Sequence, residues 1–197
     1  MSRVAGPLST RGGRGRRAQV PHPLAPTAAD RNALAMELLV IRHAIAVDRS
    51  PDVDDADRPL TGRGRRRFRE VARGLAALGL GVDLVLTSPW RRARDTAALL
   101  EDVTTDEREP VLCPHLAGPP RAELLSVIAA AGVARLAVVG HQPWLGELVA
   151  MLISGEARHG DMVPFKKGGL AVLAGAPTPG GMVLRALLPP GVTRRLA

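Results

Sequence analysis

The sequence of 197 residues has very few aromatic residues and one cysteine. It contains two Trp, two Phe and no Tyr, so its hydrophobic core must be built from Leu, Val, Ile and Ala. Because Cys113 is the only cysteine, an internal disulfide is excluded, as is typical of proteins from reducing compartments. No apolar run approaches the roughly 18 residues of a membrane span. We therefore expect a cytoplasmic protein with one folded domain.

Acidic residues are too few to balance the basic ones, and the imbalance is concentrated at one end of the chain. The net charge is +8, of which residues 1–35 contribute +5 and the remainder +3. Residues 1–35 are rich in Gly, Pro and Arg without hydrophobic periodicity, which predicts a disordered basic extension before a domain over 36–197. This segment has no aromatic side chains to stack on bases, so we do not expect a nucleic-acid partner. Met36 directly precedes the first predicted strand, so our hypothesis is that translation begins there.

Hydrophobic periodicity predicts strands that alternate with helices from residue 36 onward. Apolar runs predict strands at about 37–42, 82–86, 110–113, 136–139, 170–174 and 182–187. Helices are predicted after Thr61 as N-cap, from Ser88 as N-cap to about Leu100, at 121–131, and from Pro143 with Trp144 facing inward. This alternation predicts a three-layer α/β/α sandwich with a mostly parallel central sheet.

Conspicuous polar residues follow three of the predicted strands. Arg42 and His43 come at the end of the first strand, Arg91 and Arg92 begin the helix after the second, and His141 follows the fourth. The carboxyl ends of parallel strands share one edge of a sheet, so these side chains are expected to converge. Two imidazoles, at least two guanidiniums and a helix N-terminus suit a tetrahedral oxyanion such as phosphate. The chemistry alone does not choose between Arg91 and Arg92.

The segments that carry these residues resemble the motifs of the histidine phosphatase superfamily, the phosphoglycerate mutase-like group. Leu39–Ala44 is similar to its first motif, Ser88–Thr96 to its second and Val138–Pro143 to its third. Arg58–Thr61 resembles the family segment before the first helix. The resemblance extends over about 36–188. The small size and the Arg-Pro-Leu-Thr segment are most similar to the SixA-type phosphohistidine phosphatases.

This resemblance implies a site and a reaction. It implies that His43 is a nucleophile that becomes transiently phosphorylated, and that Arg42, Arg92 and His141 hold the phosphoryl oxygens. The resemblance also implies that Arg58 is a further substrate-binding residue. The implied substrate is a protein carrying phosphohistidine or a small phosphorylated compound, without a membrane partner. Fixed cations neutralise the phosphoryl charge, so neither a metal nor a cofactor is expected.

Larger superfamily members carry an acidic proton donor that has no clear counterpart in this sequence. The corresponding region offers Glu107, Glu109 and His115. An enzyme without such an acid suits a substrate with a good leaving group, or a phosphoramidate carried by a protein. Two alternatives stay open: a small-molecule phosphomonoesterase on the same fold, which would need such a donor, and a non-catalytic module that binds phosphate or phosphoproteins.

Other candidate residues have plainer interpretations. The loop after the first strand fails the calcium-binding pattern because the sixth position counted from Asp52 is Asp57 instead of Gly. We expect its acids to be solvated or to balance neighbouring arginines.

Asp48 and Glu147 are expected to be surface or capping groups rather than catalytic acids. Cys113 with His115 would indicate a thiol hydrolase, but no third group supports the pair. His43 and His141 as metal ligands are disfavoured because the nearby arginines would repel a cation.

Overall fold

A computed structural model describes Met1 and residues 36–105 and 108–197. The predicted disordered extension, apart from Met1, therefore lies outside the described residues. The strands are β1 (Met36–Arg42), β2 (Leu84–Thr87), β3 (Val111–Leu112), β4 (Arg135–Gly140), β5 (Leu170–Gly175) and β6 (Met182–Leu188). The α-helices are α1 (Gly62–Ala77), α2 (Arg91–Ala97), α3 (Ala122–Ala130), α4 (Trp144–Ser154) and α5 (Pro190–Thr193). Short 3-10 helices lie at Asp55–Asp57, Ala98–Val103, Pro114–Ala117 and Ala157–Met162.

The strands form one sheet in the order β3-β2-β4-β1-β5-β6. The strands β1, β2, β3 and β4 pair in parallel, and helical connections return the chain to the same end of the sheet each time. The strand β5 pairs antiparallel with both β1 and β6, and a short Pro/Gly turn joins β5 to β6. Five strands therefore run in one direction, which confirms the predicted mostly parallel sheet.

Helices cover both faces of this sheet and create two hydrophobic clusters. On one face, Leu39 and Ile41 of β1 pack with Phe68 of α1 and with α2. On the other face, Leu38 and Val40 pack with α3 and α4. Because β1 is buried on both sides, its apolar residues run continuously instead of alternating with polar ones. Each such buried aliphatic side chain contributes about 1.5–3 kcal/mol relative to exposure. The predicted three-layer sandwich is confirmed.

The helix α1 packs unusually close to the loop that follows β1. The Thr61 hydroxyl accepts a hydrogen bond from the Gly64 amide at 2.9 Å, as predicted for an N-cap. The Thr61 amide donates to the Ile45 carbonyl at 2.9 Å. A Cβ atom on Gly64 would lie 2.1 Å from that same carbonyl oxygen, so only glycine permits this approach. The contact holds the loop that begins at His43 against the helix.

The start of α2 differs from the prediction. The helix begins at Arg91 with Trp90 as its N-cap, whereas we predicted Ser88 as N-cap and Pro89 as the first helical residue. The Ser88 hydroxyl is instead 2.9 Å from a ring nitrogen of His141. This interaction holds Ser88 outside the helix, which explains the shift of the boundary. The helix also becomes a 3-10 helix after Ala97.

None of the helices in the described part of the chain has the length and apolar character needed to cross a membrane. The longest of them, α1, has 16 residues and is amphipathic.

Candidate active site

Three adjacent strands bring the predicted residues to one edge of the sheet. The order β2-β4-β1 and the pairing of Arg42 with Gly140 place the ends of these strands side by side. The rings of His43 and His141 have centroids 5.1 Å apart. The Arg92 Nε lies 3.2 Å from His43 Nε2. The predicted convergence of residues from distant segments is thus present in the structure.

His43 has hydrogen bonds that define which ring nitrogen carries the proton. Its Nδ1 lies 2.7 Å from the Ala44 carbonyl oxygen, which can only accept, so Nδ1 is the donor. The Nε2 atom then keeps its lone pair and accepts from Arg92. Burial lowers the pKa of His43 to about 3, helped by the positive charges of Arg92, Arg42 and Lys167 and opposed by the bond to Ala44. The ring is therefore neutral near pH 7, and Nε2 is a competent nucleophile.

His141 faces His43 and is also neutral. Burial lowers its pKa to about 3, with further repulsion from His43 and Arg92. If the Ser88 hydroxyl donates to Nε2, the ring proton lies on Nδ1. His141 Nδ1 and Arg42 Nε are buried and lack a hydrogen-bond partner within the described part of the chain. An anion with several acceptor atoms would satisfy both nitrogens.

Arg92 links the parts of the site. Its side chain is nearly buried, with only 4% exposed. Besides His43, its guanidinium donates to the Asp55 backbone carbonyl, and its NH2 lies 3.1 Å from the Asp55 carboxylate. Its guanidinium carbon stacks 4.4 Å above the centroid of Trp90. Arg91 is exposed. The geometry therefore distinguishes the two neighbouring arginines that chemistry alone left equivalent.

Arg42 lies at the end of β1 and reaches across the sheet edge. One of its terminal nitrogens donates to the Phe165 carbonyl, while its backbone amide donates to the Gly169 carbonyl at 3.0 Å. Burial lowers the pKa of this guanidinium, but Arg remains charged at any pH of interest. The side chain is thus a fixed cation close to His43.

Asp55 is a site residue that we did not single out from the sequence. Its carboxylate accepts from Arg58 Nε at 2.9 Å and Arg49 Nε at 2.8 Å, in addition to Arg92. Burial acts to raise the pKa of this carboxyl, but the bonds from Arg49 and Arg58 and the charge of Arg92 outweigh it and lower the pKa. The expectation that a loop acid balances neighbouring arginines is confirmed for Asp55. The sequence signal was its position three residues before Arg58.

Arg58 reaches the site only through Asp55. Its side chain is largely buried and also donates to the Val47 carbonyl. The structure gives it no direct hydrogen bond to His43 or His141. We predicted that Arg58 joins the cluster of site residues. In the structure it lies at the outer edge of this cluster.

Both tryptophans of the chain form a wall beside His141. The ring of Trp90 is 4.5 Å from that of His141 between centroids, and Trp144 is 5.7 Å from Trp90. We expected Trp144 to face the core, but it is only half-buried. The reason is its position at the first residue of α4, where the helix meets the site edge of the sheet.

The other candidate acids lie apart from this cluster. Glu109 and His115 are exposed and line separate grooves, neither of which includes His43. Glu107 lies outside the described residues. Asp48 is exposed, as expected for a surface acid, and Glu147 is half-buried in the first turn of α4.

Cys113 does not have the surroundings of a nucleophile. Its side chain is buried in the cluster beneath α3 and α4. Burial raises the pKa of its thiol, although bonds from the His115 and Leu116 backbone oppose this. The thiol therefore stays protonated near pH 7, which argues against the thiol hydrolase interpretation.

Comparison with known proteins gives consistent matches over most of the described chain. The family model of the histidine phosphatase superfamily (branch 1) matches residues 38–117. An uncharacterized protein from Picosynechococcus sp. is 40% identical over 141 residues, covering 68% of this chain and 82% of that protein. The phosphohistidine phosphatase SixA of Escherichia coli strain K12 is 32% identical over 126 residues, covering 61% of this chain and 76% of that protein. A structure of the protein histidine phosphatase SixA complexed with tungstate superposes with a TM-score of 0.67 at 27% identity, covering 79% of this chain and 98% of the other.

The low pKa values of the two histidines predict a pH-dependent stability. Between about pH 6.5 and about pH 3 the unfolded chain binds protons at these rings while the folded chain does not. The free energy of unfolding is therefore expected to fall as the pH falls through this window. We would measure urea unfolding at about pH 7.5 and about pH 4.5 for the wild type and for His43→Asn/His141→Asn. The double variant should lose less stability on acidification. The His159→Asn variant, which changes a half-buried histidine outside the site, is the control. An unchanged pH dependence in the double variant would contradict the assignment.

The contacts of Asp55 predict a cost for removing its charge. In Asp55→Asn, Arg92 and Arg58 lose their shared counter-charge, so we expect the free energy of unfolding to fall by about 1–2 kcal/mol, allowing for the partial exposure of the carboxylate. Asp57→Asn removes an exposed acid from the same turn and should have little effect. Chemical denaturation of both variants makes the comparison. Equal stability of the two would show that the Asp55 network contributes nothing.

Proposed function

This chain belongs to the histidine phosphatase superfamily and is a phosphatase of the SixA type, and from this premise we propose that it hydrolyses phosphohistidine on a protein through a phosphorylated His43. The membership confirms the family predicted from the three motifs. It also favours an enzyme over the non-catalytic binding module that the sequence left open. The substrate and the roles of the individual residues are the proposal that follows.

The observation that carries the proposal is the pairing of His43 Nε2 with Arg92 Nε at 3.2 Å. The bond from Nδ1 to the Ala44 carbonyl fixes the ring orientation and leaves the Nε2 lone pair free of a proton. A phosphorus atom that approaches Nε2 would place its oxygens beside a permanent cation. Phosphoryl transfer depends mainly on such positioning and charge neutralisation.

The remaining residues are proposed to hold the other phosphoryl oxygens. Among the residues that the structure describes, Arg42 Nε and His141 Nδ1 are the buried side-chain nitrogens without hydrogen-bond partners, and each would donate to an oxygen of the phosphoryl group. We propose Arg58 as an outer contributor of positive charge through Asp55. Binding of a dianion would also favour protonation of His141, because an adjacent negative charge raises the pKa of an imidazole.

The reaction would take place in two displacements. In the first, the substrate phosphohistidine carries a proton on its other ring nitrogen. The Nε2 lone pair of His43 attacks phosphorus, and the P–N bond of the substrate breaks with its electron pair staying on the ring, which leaves as neutral imidazole. In the second, water attacks the phosphorus of phospho-His43, and the P–Nε2 bond breaks. The products are inorganic phosphate, a released proton and His43 with its lone pair restored.

The charges of the site favour phosphohistidine over an alkyl phosphate ester. Alkoxide leaving groups need a proton donor, and Asp55 is the carboxylate bonded to the cluster within the described residues. Its pKa is lowered, so it carries no proton near pH 7. Glu109 and His115 line other grooves. A ring-protonated phosphohistidine releases neutral imidazole, which is far less basic than an alkoxide, so it leaves without a dedicated acid.

Rapid-quench trapping of the intermediate tests this function. A protein labelled with ³²P on histidine and, separately, a ³²P-labelled alkyl phosphate would be mixed with the wild type and with His43→Asn. We expect an acid-labile, base-stable label on His43 of the wild type and no label or turnover with the variant. The phosphohistidine protein should be the faster substrate because its leaving group needs no acid.

Two outcomes would contradict the proposal in different ways. Full turnover by His43→Asn would overturn the mechanism. A much faster reaction with the alkyl phosphate, together with loss of that activity in Glu109→Gln or His115→Gln, would assign the chain to the small-molecule phosphomonoesterases instead.

Arg92 and Arg91 form a matched pair for testing the transition-state contact. Arg92→Ala should lower kcat/KM, because the transition state should lose about 2–4 kcal/mol of stabilisation, as with the loss of comparable oxyanion donors. Arg91→Ala removes an exposed cation of the same charge and should change the rate little. Steady-state kinetics of both variants, with thermal unfolding to verify folding, gives the comparison. A larger effect of Arg91→Ala would show that the wrong arginine was assigned.

A further inference from the structure

The positive charge of the folded part is concentrated on α1. This helix carries six arginines and one acid, Glu70, for a net charge of +5. Residues 36–197 together have a net charge of only +3, so the remainder of that region is net negative. The charge of α1 is thus a local feature and not a consequence of an overall basic composition.

Four of the basic side chains form a strip that we call the basic strip: Arg63, Arg67, Lys167 and Arg194. Arg67, Lys167 and Arg194 line one cavity of about 50 Å³. Arg63 lies one helical turn before Arg67 on α1. Burial lowers the pKa of Arg67, and repulsion from Arg63 and Arg194 lowers it further, while Glu70 opposes this. The strip joins the exposed edge of α1 to the C-terminal residues after α5.

The basic strip is continuous with the active site. The walls of its cavity include Ala44 and Ile45, which directly follow His43. Lys167 is close enough to His43 for its charge to lower the pKa of the imidazole. The Gly168 amide donates to the Arg42 and His43 carbonyls at 3.1 Å, which ties the Lys167 segment to the nucleophile loop. A macromolecule that presents a group to His43 would therefore contact the strip.

The charges of the strip are largely unbalanced inside the molecule. Glu70 forms a salt bridge with Arg194 at 2.6 Å and is also attracted by the charge of Arg67. The salt bridges within the described residues include none to Arg63, Arg67 or Lys167. Arg63 also lies in the first turn of α1, where the helix dipole disfavours a cation. Crowded like charges at this position oppose folding, so their arrangement is better explained by an external counter-charge.

We infer that the basic strip docks an acidic surface beside the phosphohistidine of the protein substrate. This inference rests on the proposed function, because it requires a protein as the phosphoryl donor. The cavity would admit one carboxylate side chain, and the exposed guanidiniums would attract others. Such a surface increases the association rate and selects partners by charge.

A protein fits the strip better than a nucleic acid does. The strip contains only Arg and Lys, and Phe68 in the wall of its cavity is buried, so its ring is not accessible for a base to stack on. The strip is only as long as one edge of α1 and lies next to the active site. A strip of this size can contact a few acidic side chains around one phosphorylated residue.

A charge-reversal pair on α1 tests the inference, with a matched control on the same helix. At about 100° per residue, Arg63 and Arg67 lie on the edge of α1 facing Lys167, whereas Arg69 and Arg73 lie on its outer side. We would compare Arg63→Glu/Arg67→Glu with Arg69→Glu/Arg73→Glu, which change the net charge equally. The substrates are a histidine-phosphorylated protein with acids around the modified residue, the same protein with those acids changed to amides, and an aryl phosphate.

The strip pair should lower kcat/KM for the acidic phosphoprotein about tenfold and weaken its salt dependence. The control pair should have a clearly smaller effect. With the amide-substituted phosphoprotein or the aryl phosphate, both pairs should stay within about twofold of the wild type, which also shows that they are folded.

The failures of the two proposals are distinguishable. Wild-type activity on the aryl phosphate but on neither phosphoprotein would overturn the proposed function and, with it, the docking surface. Wild-type activity on the acidic phosphoprotein with equal effects of the two pairs would overturn the docking surface alone. Loss of binding to a labelled DNA duplex by the strip pair, with unchanged phosphoprotein kinetics, would assign the strip to nucleic acid and overturn the inference.

Discussion

The buried guanidinium of Arg92 is the group on which the site depends. It donates to the Nε2 of His43 on one side and to the backbone and carboxylate of Asp55 on the other, while its face lies on Trp90. A cation this deeply buried would be costly without such partners. The same bonds align it with Nε2 of His43, the nitrogen that we propose as the nucleophile. Stability of the loop after β1 and orientation of the His43 ring thus come from one set of contacts.

The fold supplies this geometry through the order of its strands. The strand β1 lies between β4 and β5, and β4 lies between β1 and β2, so the three segments that carry His43, His141 and Arg92 end side by side. The close packing of α1 at Gly64 and the bond from the Ala44 amide to the Thr96 hydroxyl at 3.0 Å hold the first of these segments in place. A rigid edge of this kind preserves distances that a flexible loop would not.

The charge state of the site follows from burial as much as from sequence. Both histidines are neutral because burial and the surrounding guanidiniums oppose a further positive charge. The positive charge of the site is therefore carried by its arginines, which do not lose their protons and can neutralise a phosphoryl group. Outside the site, the arginines of α1 extend this positive region over the neighbouring surface. In our proposal, the reaction at His43 and the selection of the substrate protein are separate functions of adjacent surfaces.

The amino-acid sequence by itself determined the alternation of strands and helices and predicted that Arg42, His43, Arg92 and His141 converge at one edge of the sheet, since periodicity and motif are local properties. Only the tertiary structure decided that Asp55 binds Arg92, that Ser88 bonds to His141 instead of capping α2, and that Trp144 lines the site. It also placed Arg58 behind Asp55. These outcomes depend on which charged and polar groups share a partner across the folded chain. Such competition involves residues 37 and 53 positions apart, and no local pattern records it.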